Sequence, residues 1–305
     1  MFCSRKSTSA GRFAWVLCCA VGLFLFAPSS RAALSFSNGN FTNCATTSGG
    51  STITACPTVA STDGGFAFGY TPPGNPGNFL ESWIMLNPNN LHCVVTNPSK
   101  DNNVCGAGWT GGSANLQLYA LAPTSPAGGN YVTMDADTVH GYNGTIYQTA
   151  TGLTVGKTYV LTFYQAAGQQ KTNSGSATDW WSVDVGGTVS GTSVTGGTTF
   201  GSLTQNSIFW RDQSQLSTPD IPVWQQISYA FKATNASEII SFTSSSLMSN
   251  TANGVPPYLF LDGVNLQLSP EPGSIFLTAL GVIALLIIRK RMVKRAATAE
   301  SIKAP

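Results

Sequence analysis

Between residues 34 and 269, apolar and polar side chains alternate in short runs separated by Gly, Pro, Asn and Asp. Alternation with period two is the pattern of a strand with one buried face. The clearest runs are Phe66–Tyr70, Asn115–Leu121, Tyr131–Met134, Thr145–Thr149 and Thr158–Gln165. Trp180–Val185, Trp224–Lys232, Glu238–Thr243 and Tyr258–Leu268 follow. No stretch of this region keeps a helical period. Pro72, Pro73, Pro76, Pro123, Pro126, Pro256 and Pro257 fall between the runs, where a missing N–H donor breaks no ladder. Only the two ends lack alternation: Phe13–Ala27 and Ile275–Ile288 are nearly continuous apolar runs.

Many strands with loops of varied length predict an all-β domain, a two-sheet antiparallel jelly-roll sandwich. An N-terminal signal helix and a C-terminal hydrophobic helix are expected to flank it. The predicted organisation is a signal peptide over 1–33, a sandwich over 34–269, a sorting and membrane segment over 270–295, and a basic trailer over 296–305. Residues 34–269 carry five basic against eleven acidic side chains, a net −6. A nucleic-acid partner requires a basic face, so that class is set aside. Only 9% of the chain is charged, and Gly, Ser, Thr and Asn supply the polarity instead, as in extracellular β domains.

The ends predict the compartment. Arg5, Lys6 and Arg12 precede the first apolar run, and Ala32 and Ala33 follow it, the layout of a cleavable export signal read by the Sec machinery. At the other end, fourteen apolar residues at a rise of ~1.5 Å reach roughly 21 Å, short of a ~30 Å hydrocarbon core unless flanking residues extend the helix. Arg289, Lys290, Arg291, Lys294 and Arg295 place its far end on the cytoplasmic side of the inner membrane. Cys44, Cys56, Cys93 and Cys105 remain after signal removal and are expected as two disulfides. Four cysteines allow three connectivities; Cys44–Cys56 with Cys93–Cys105 closes the smallest loops. No C-x-x-C occurs, which argues against a zinc site.

Parity along WWSVDV puts Trp181, Val183 and Val185 on a core face, and Trp180, Ser182 and Asp184 on the other. Trp180 beside Asp184 then makes a candidate sugar platform: an aromatic ring for C–H faces and an acceptor for hydroxyls. Trp109 and Trp210 fall in expected loops and are further ligand candidates, whereas Trp224 is expected in the core. Catalysis has little support. His92 and His140 are the only histidines, no G-x-S-x-G elbow occurs, and Asp135 with Asp137 is the sole carboxylate pair suggesting glycoside hydrolysis.

Two resemblances add to this reading. Pro270-Glu271-Pro272 before a Gly-containing apolar helix and a basic cluster resembles the PEP-CTERM sorting signal of exopolysaccharide-producing Gram-negative bacteria. It implies exosortase as a partner and delivery to the outer surface or matrix; the ten residues after Arg295 make a longer trailer than usual. Gly144 to Phe163, with Asn38-Gly39-Asn40-Phe41 and Leu261 to Leu266, resembles galactose-binding-like jelly rolls of carbohydrate-binding modules. That resemblance implies a structural calcium at Asn38 and Asp262, although the usual Glu after the Phe is Thr42 here. No other cofactor is expected. The chain thus reads as an exported, non-catalytic glycan-binding protein with extracellular polysaccharide as partner, the alternative being a structural or adhesion protein without a sugar ligand.

Overall fold

A computed structural model describes residues 33–45, 53–56, 63–66, 79–86, 90, 92–101, 104–105, 116–171, 173–200, 203–248, 257–270 and 280–290. In chain order its strands are β1 Asn43–Ala45, β2 Ile53–Ala55, β3 Gly65–Phe66, β4 Phe79–Leu80, β5 Ile84–Met85 and β6 His92–Val95. Next come β7 Tyr131–Asp135, β8 Thr145–Thr151, β9 Thr158–Gln169, β10 Ala177–Val185, β11 Thr188–Ser190 and β12 Ser193–Thr195. The last five are β13 Thr198–Phe200, β14 Ile208–Trp210, β15 Gln225–Lys232, β16 Ser237–Met248 and β17 Pro257–Leu268.

Among the described residues twelve of these strands form two antiparallel six-stranded sheets, β2-β1-β4 form a small three-stranded one, and β11 pairs with β12. The first six-stranded sheet runs β13-β10-β16-β8-β5, with β14 also on β10; the second runs β15-β9-β17-β7-β6-β3. The long strands β7, β8, β9 and β10, and again β15, β16 and β17, pass alternately from one sheet to the other. That alternation is jelly-roll connectivity, as the pattern predicted. The main core fills the space between the sheets, with Trp181, Val183 and Phe242 facing Phe163, Leu161, Leu259 and Leu261. The indole N–H of Trp181 donates across it to the Phe260 carbonyl at 3.2 Å.

The motif behind the jelly-roll resemblance has a physical reason. Gln148 is buried on β8, and its amide acts like a strand residue: Oε1 accepts from the Ser37 N–H at 2.8 Å and Nε2 donates to the Ser37 carbonyl at 2.9 Å. This holds the N-terminal segment against the sheet, beside the Ser35–Thr151 bridge. Gly144 is required because a Cβ there would lie 2.7 Å from the Asn90 side chain.

Two expectations change. Phe66–Tyr70 is represented by β3, and its residues 67–70 lie outside the described residues. Asn115–Leu121 is not a strand over its described part, 116–121; it meets a sheet only through the Leu118–Gln170 bridge. Its apolar alternation instead serves to cover the outside of the second sheet. There Leu116, Leu118, Leu121 and Ala122 pack on Cys93, Val95, Tyr131, Ala166, Tyr258 and Phe260, forming a second apolar cluster. Trp224 joins that cluster rather than the main core. It stacks edge-on to Tyr131 at 5.3 Å and its indole N–H donates to the Pro123 carbonyl at 2.7 Å.

Both expected disulfides are formed, Cys44–Cys56 and Cys93–Cys105, with Cα separations of 4.9 and 5.5 Å. The second ties β6 to Cys105, next to Val104, whose N–H donates to the Leu116 carbonyl of the covering segment at 2.9 Å. The expected signal helix over 1–33 lies outside the described residues except for Ala33. Residues 280–290 are helical and exposed throughout. Among the described residues no helix is long and apolar enough to cross a membrane.

Candidate functional site

The candidate site is the outer face of the first sheet. Paired residues in antiparallel strands point to the same side, so the register defines what this face displays. Trp180 lies beside Ser245, Ser182 beside Thr243, and Asp184 beside Ser241. Thr243 in turn lies beside Thr145, and Ser241 beside Tyr147. Thr199 of β13 sits beside Asp184 and donates its hydroxyl hydrogen to Oδ1 of that carboxylate. Trp180 and Asp184 are both half-buried, their neighbour Trp181 fully so. The parity expected from the sequence is therefore the observed one.

A groove of about 470 Å³ crosses this face. Its floor is Thr145, Ser182, Asp184, Thr199, Thr243 and Ser245. One wall is the loop residues Gly141 and Asn143; the other is the tip of the β11–β12 hairpin, Thr192 to Val194. That hairpin pairs only with itself and is almost wholly exposed. Its neck contains Gly186, Gly187 and Gly196, all in the left-handed region, where a side chain would be strained. Asp184 is the only charged side chain lining the groove. Hydroxyls set at strand spacing, with one carboxylate and a flanking indole, can exchange hydrogen bonds with a polyol and pack against its C–H faces.

The other candidates fall elsewhere. Trp210 is not loop-borne: it is the last residue of β14, paired with Ala177 and buried, with its indole N–H unpartnered. The sequence misassigned it because β14 is only three residues long and follows a helical turn at Leu203–Asn206. Trp109, Glu271 and Pro272 lie outside the described residues, and Pro270 is exposed just after β17. Asn38 and Asp262, expected around a calcium, are both buried. Asn38 Oδ1 accepts from the Asn43 N–H at 2.9 Å, and its Nδ2 donates to the carbonyls of Asn43 and Glu81 at 2.8 and 3.1 Å. Its own carbonyl accepts from the Trp83 indole at 3.0 Å. Asp262 accepts from the Ser125 hydroxyl through Oδ2, and its buried Oδ1 has no partner among the described residues. Burial pushes the Asp262 carboxyl up to about 7. Among the described residues no group of three or more His, Cys, Asp or Glu is arranged to hold a metal.

A second polar cluster was invisible in the sequence. Asp135 and Asp179 come from opposite sheets and are both fully buried at one end of the sandwich. Burial pushes Asp135 up to about 8 and Asp179 well above the usual carboxylate range, each in a direction that keeps it protonated. Asp137 donates its N–H to Asp135 Oδ1 at 2.7 Å, while its own carboxylate caps the following loop. It accepts the N–H groups of Val139 and His140 at 3.0 and 2.9 Å, and its Oδ2 lies 2.7 Å from His140 Nδ1. Parity suggested a shared face for Asp135 and Asp137, but β7 ends at Asp135, so the alternation stops between them.

No protein-family model matches the chain, and no curated protein sequence matches it. Solved structures overlay it in part. One is TmCBM61 in complex with beta-1,4-galactotriose, at 12% identity over 61% of this chain and 88% of that one, TM-score 0.27. Another is the K2 cleaved adhesin domain of Lys-gingipain, at 14% identity over 63% and 90%, TM-score 0.30. A third is the N-terminal cellulose-binding domain of Cellulomonas fimi beta-1,4-glucanase C, at 16% identity over 46% and 80%, TM-score 0.22. Overlays at these scores are partial superpositions of strands, and what this chain does has to be read from its own side chains.

Proposed function

We propose that this protein is an exported, non-catalytic glycan-binding protein of the cell surface or exopolysaccharide matrix, and that the groove on the open face of the first sheet holds the glycan. The observation that carries this reading is the composition of the groove. Six hydroxyl or carboxylate side chains project from four adjacent strands at regular spacing, with the half-buried indole of Trp180 alongside. Few other ligands use so many hydroxyl partners and so little charge.

Export fits the two disulfides, which persist in oxidising compartments. In the same reading residues 1–33 are removed on Sec export, and exosortase acts at Pro270-Glu271-Pro272 before the helix over 280–290. The mature domain then lies outside the cell. Intact mass of the protein recovered from its producing cell, with the fraction it came from, tests this part.

The binding part is tested by affinity electrophoresis through a panel of neutral and acidic polysaccharides. Wild-type protein is expected to be retarded by at least one polymer, and Trp180→Ala to lose that retardation by at least about tenfold in affinity, roughly the loss of one base-like stacking contact. Free migration through every polymer would leave a structural or adhesion role as the reading.

A further inference from the structure

The outer face of the first sheet continues past Trp180. One register step further along the same face, Thr178 of β10 lies between Phe209 of β14 and Leu247 of β16. Both flanking side chains are open to solvent, Phe209 at 63% and Leu247 at 56% exposure, an unusual position for large apolar groups on a sheet face. Phe209 also rims a cleft of about 540 Å³ with exposed Ile221 and Val223. The face therefore changes character along its length, from Asp184 and paired hydroxyls to an apolar row beyond Trp180. From Thr178 to Asp184 is six residues, on the order of 20 Å.

The apolar row has a shape as well as a polarity. Phe209 and Leu247 stand on either side of β10, two strand spacings or roughly 10 Å apart, with the Thr178 hydroxyl on the floor between them. The register therefore sets an exposed apolar side chain on each side of a hydroxyl. A small acyl group fits this chemistry: its methyl meets the apolar side chains and its ester carbonyl can accept from the hydroxyl. A bare sugar hydroxyl placed there would lose water against two apolar surfaces. Charge points the same way. No Lys or Arg lines the groove, its one ionisable side chain is the acid Asp184, and Arg211 near the cleft is closed on Asp220 by an Nε contact of 2.7 Å. An acidic glycan would find no counter-charge and one like charge.

Building on the glycan-binding reading above, we infer that the ligand is an uncharged polysaccharide carrying O-acyl groups, with one acyl group seated between Phe209 and Leu247 while the neighbouring sugars lie along the hydroxyl groove. The orientation of the chain on the sheet is fixed by this slot. The groove without the slot would accept the same polymer in either direction.

The test uses O-acetylated glucomannan and O-acetylated xylan, each before and after mild saponification, in affinity electrophoresis with the purified domain-containing protein. Wild type is expected to bind an acetylated polymer roughly tenfold more tightly than its saponified form, the discrimination one buried methyl-sized group supplies. The double variant Phe209→Ala/Leu247→Ala is expected to bind both forms equally, at the wild-type level for the saponified polymer. Because both side chains are exposed, its melting temperature serves as the folding control. Thr178→Val is expected to lose part of the preference if the ester carbonyl is held. Equal wild-type retention before and after saponification, or a preference that survives in the double variant, overturns the acyl slot and leaves the groove standing. Retention of neither form overturns both.

Discussion

The two sheets present the same kind of inner face to the core but opposite outer faces. Outside the second sheet, Tyr131, Tyr258 and Phe260 are buried beneath the segment 116–128, which is held by bonds from Tyr131, Trp224 and Ser125 and by the Val104 N–H to the Leu116 carbonyl. Outside the first sheet, Trp180, Tyr147, Phe209 and Leu247 remain partly or largely exposed among serines and threonines. Large apolar groups on one face are buried, and on the other they are left to water. A folded chain gains nothing in stability from leaving them there, whereas a binding surface does. The difference fits the proposal that one face serves stability and the other recognition.

The comparison breaks most visibly at its buried side. Phe260 is fully buried in the second cluster, in edge contact with Tyr131 and Trp224. Phe260→Ala leaves a cavity under the covering segment and is expected to destabilise the protein by about 3–5 kcal/mol. Denaturant unfolding measures it, and a loss below about 1 kcal/mol would mean the cover is not packed as described.

Much of this arrangement could be read from sequence. The parity of Trp180 against Trp181 separated open face from core because β10 is long and alternates strictly. Loop length favoured the observed disulfide pairing over the other two that four cysteines allow. Trp210 and Trp224 were misplaced for a different reason. Each sits at the end of a strand, where two or three residues are too few for alternation to set a side. The hydroxyl floor was also hidden. Along SFTSSSL the side chains of Thr243 and Ser245 point outward, while those of Ser244 and Ser246 point inward and donate to the carbonyls of Asp135 and Ala136. Serine is equally acceptable in both roles, so composition cannot tell them apart. Asp135 and Asp179 are more than forty residues apart and meet only because the two sheets close on each other.

That buried pair gives an effect that depends on pH. Asp135 is raised from 3.8 to about 8, so between those values the folded protein holds a proton that the unfolded chain has released. Stability therefore falls as pH rises, by about 1.4 kcal/mol per unit for each such proton, and is greatest at the acid end of the window. Urea midpoints taken from pH 4 to 8 are expected to decline steadily, with Asp135→Asn flattening the slope. A stability that climbs over the same range would show that the pair is ionised in the fold and held by a partner. The open face should be indifferent to this titration, since neither carboxyl lines its groove.

The smallest effect on stability sharpens the comparison within two adjacent residues. Trp181→Ala removes a fully buried ring that contacts Phe242 edge-on at 6.3 Å, and belongs with the large core losses. Trp180 is its neighbour on the same strand but faces outward beside Ser245, so Trp180→Ala forfeits only partial burial and is expected to cost less than about 1 kcal/mol. The two variants should then separate two properties that a single tryptophan cannot: Trp180→Ala keeps its melting temperature and loses glycan retention, while Trp181→Ala loses stability first. Parallel melting curves and electrophoretic retardation on the same preparations decide it. If Trp180→Ala melted early as well, the indole would be holding the sheet rather than waiting for a ligand, and the open face would have to be reassigned to packing against something that covers it.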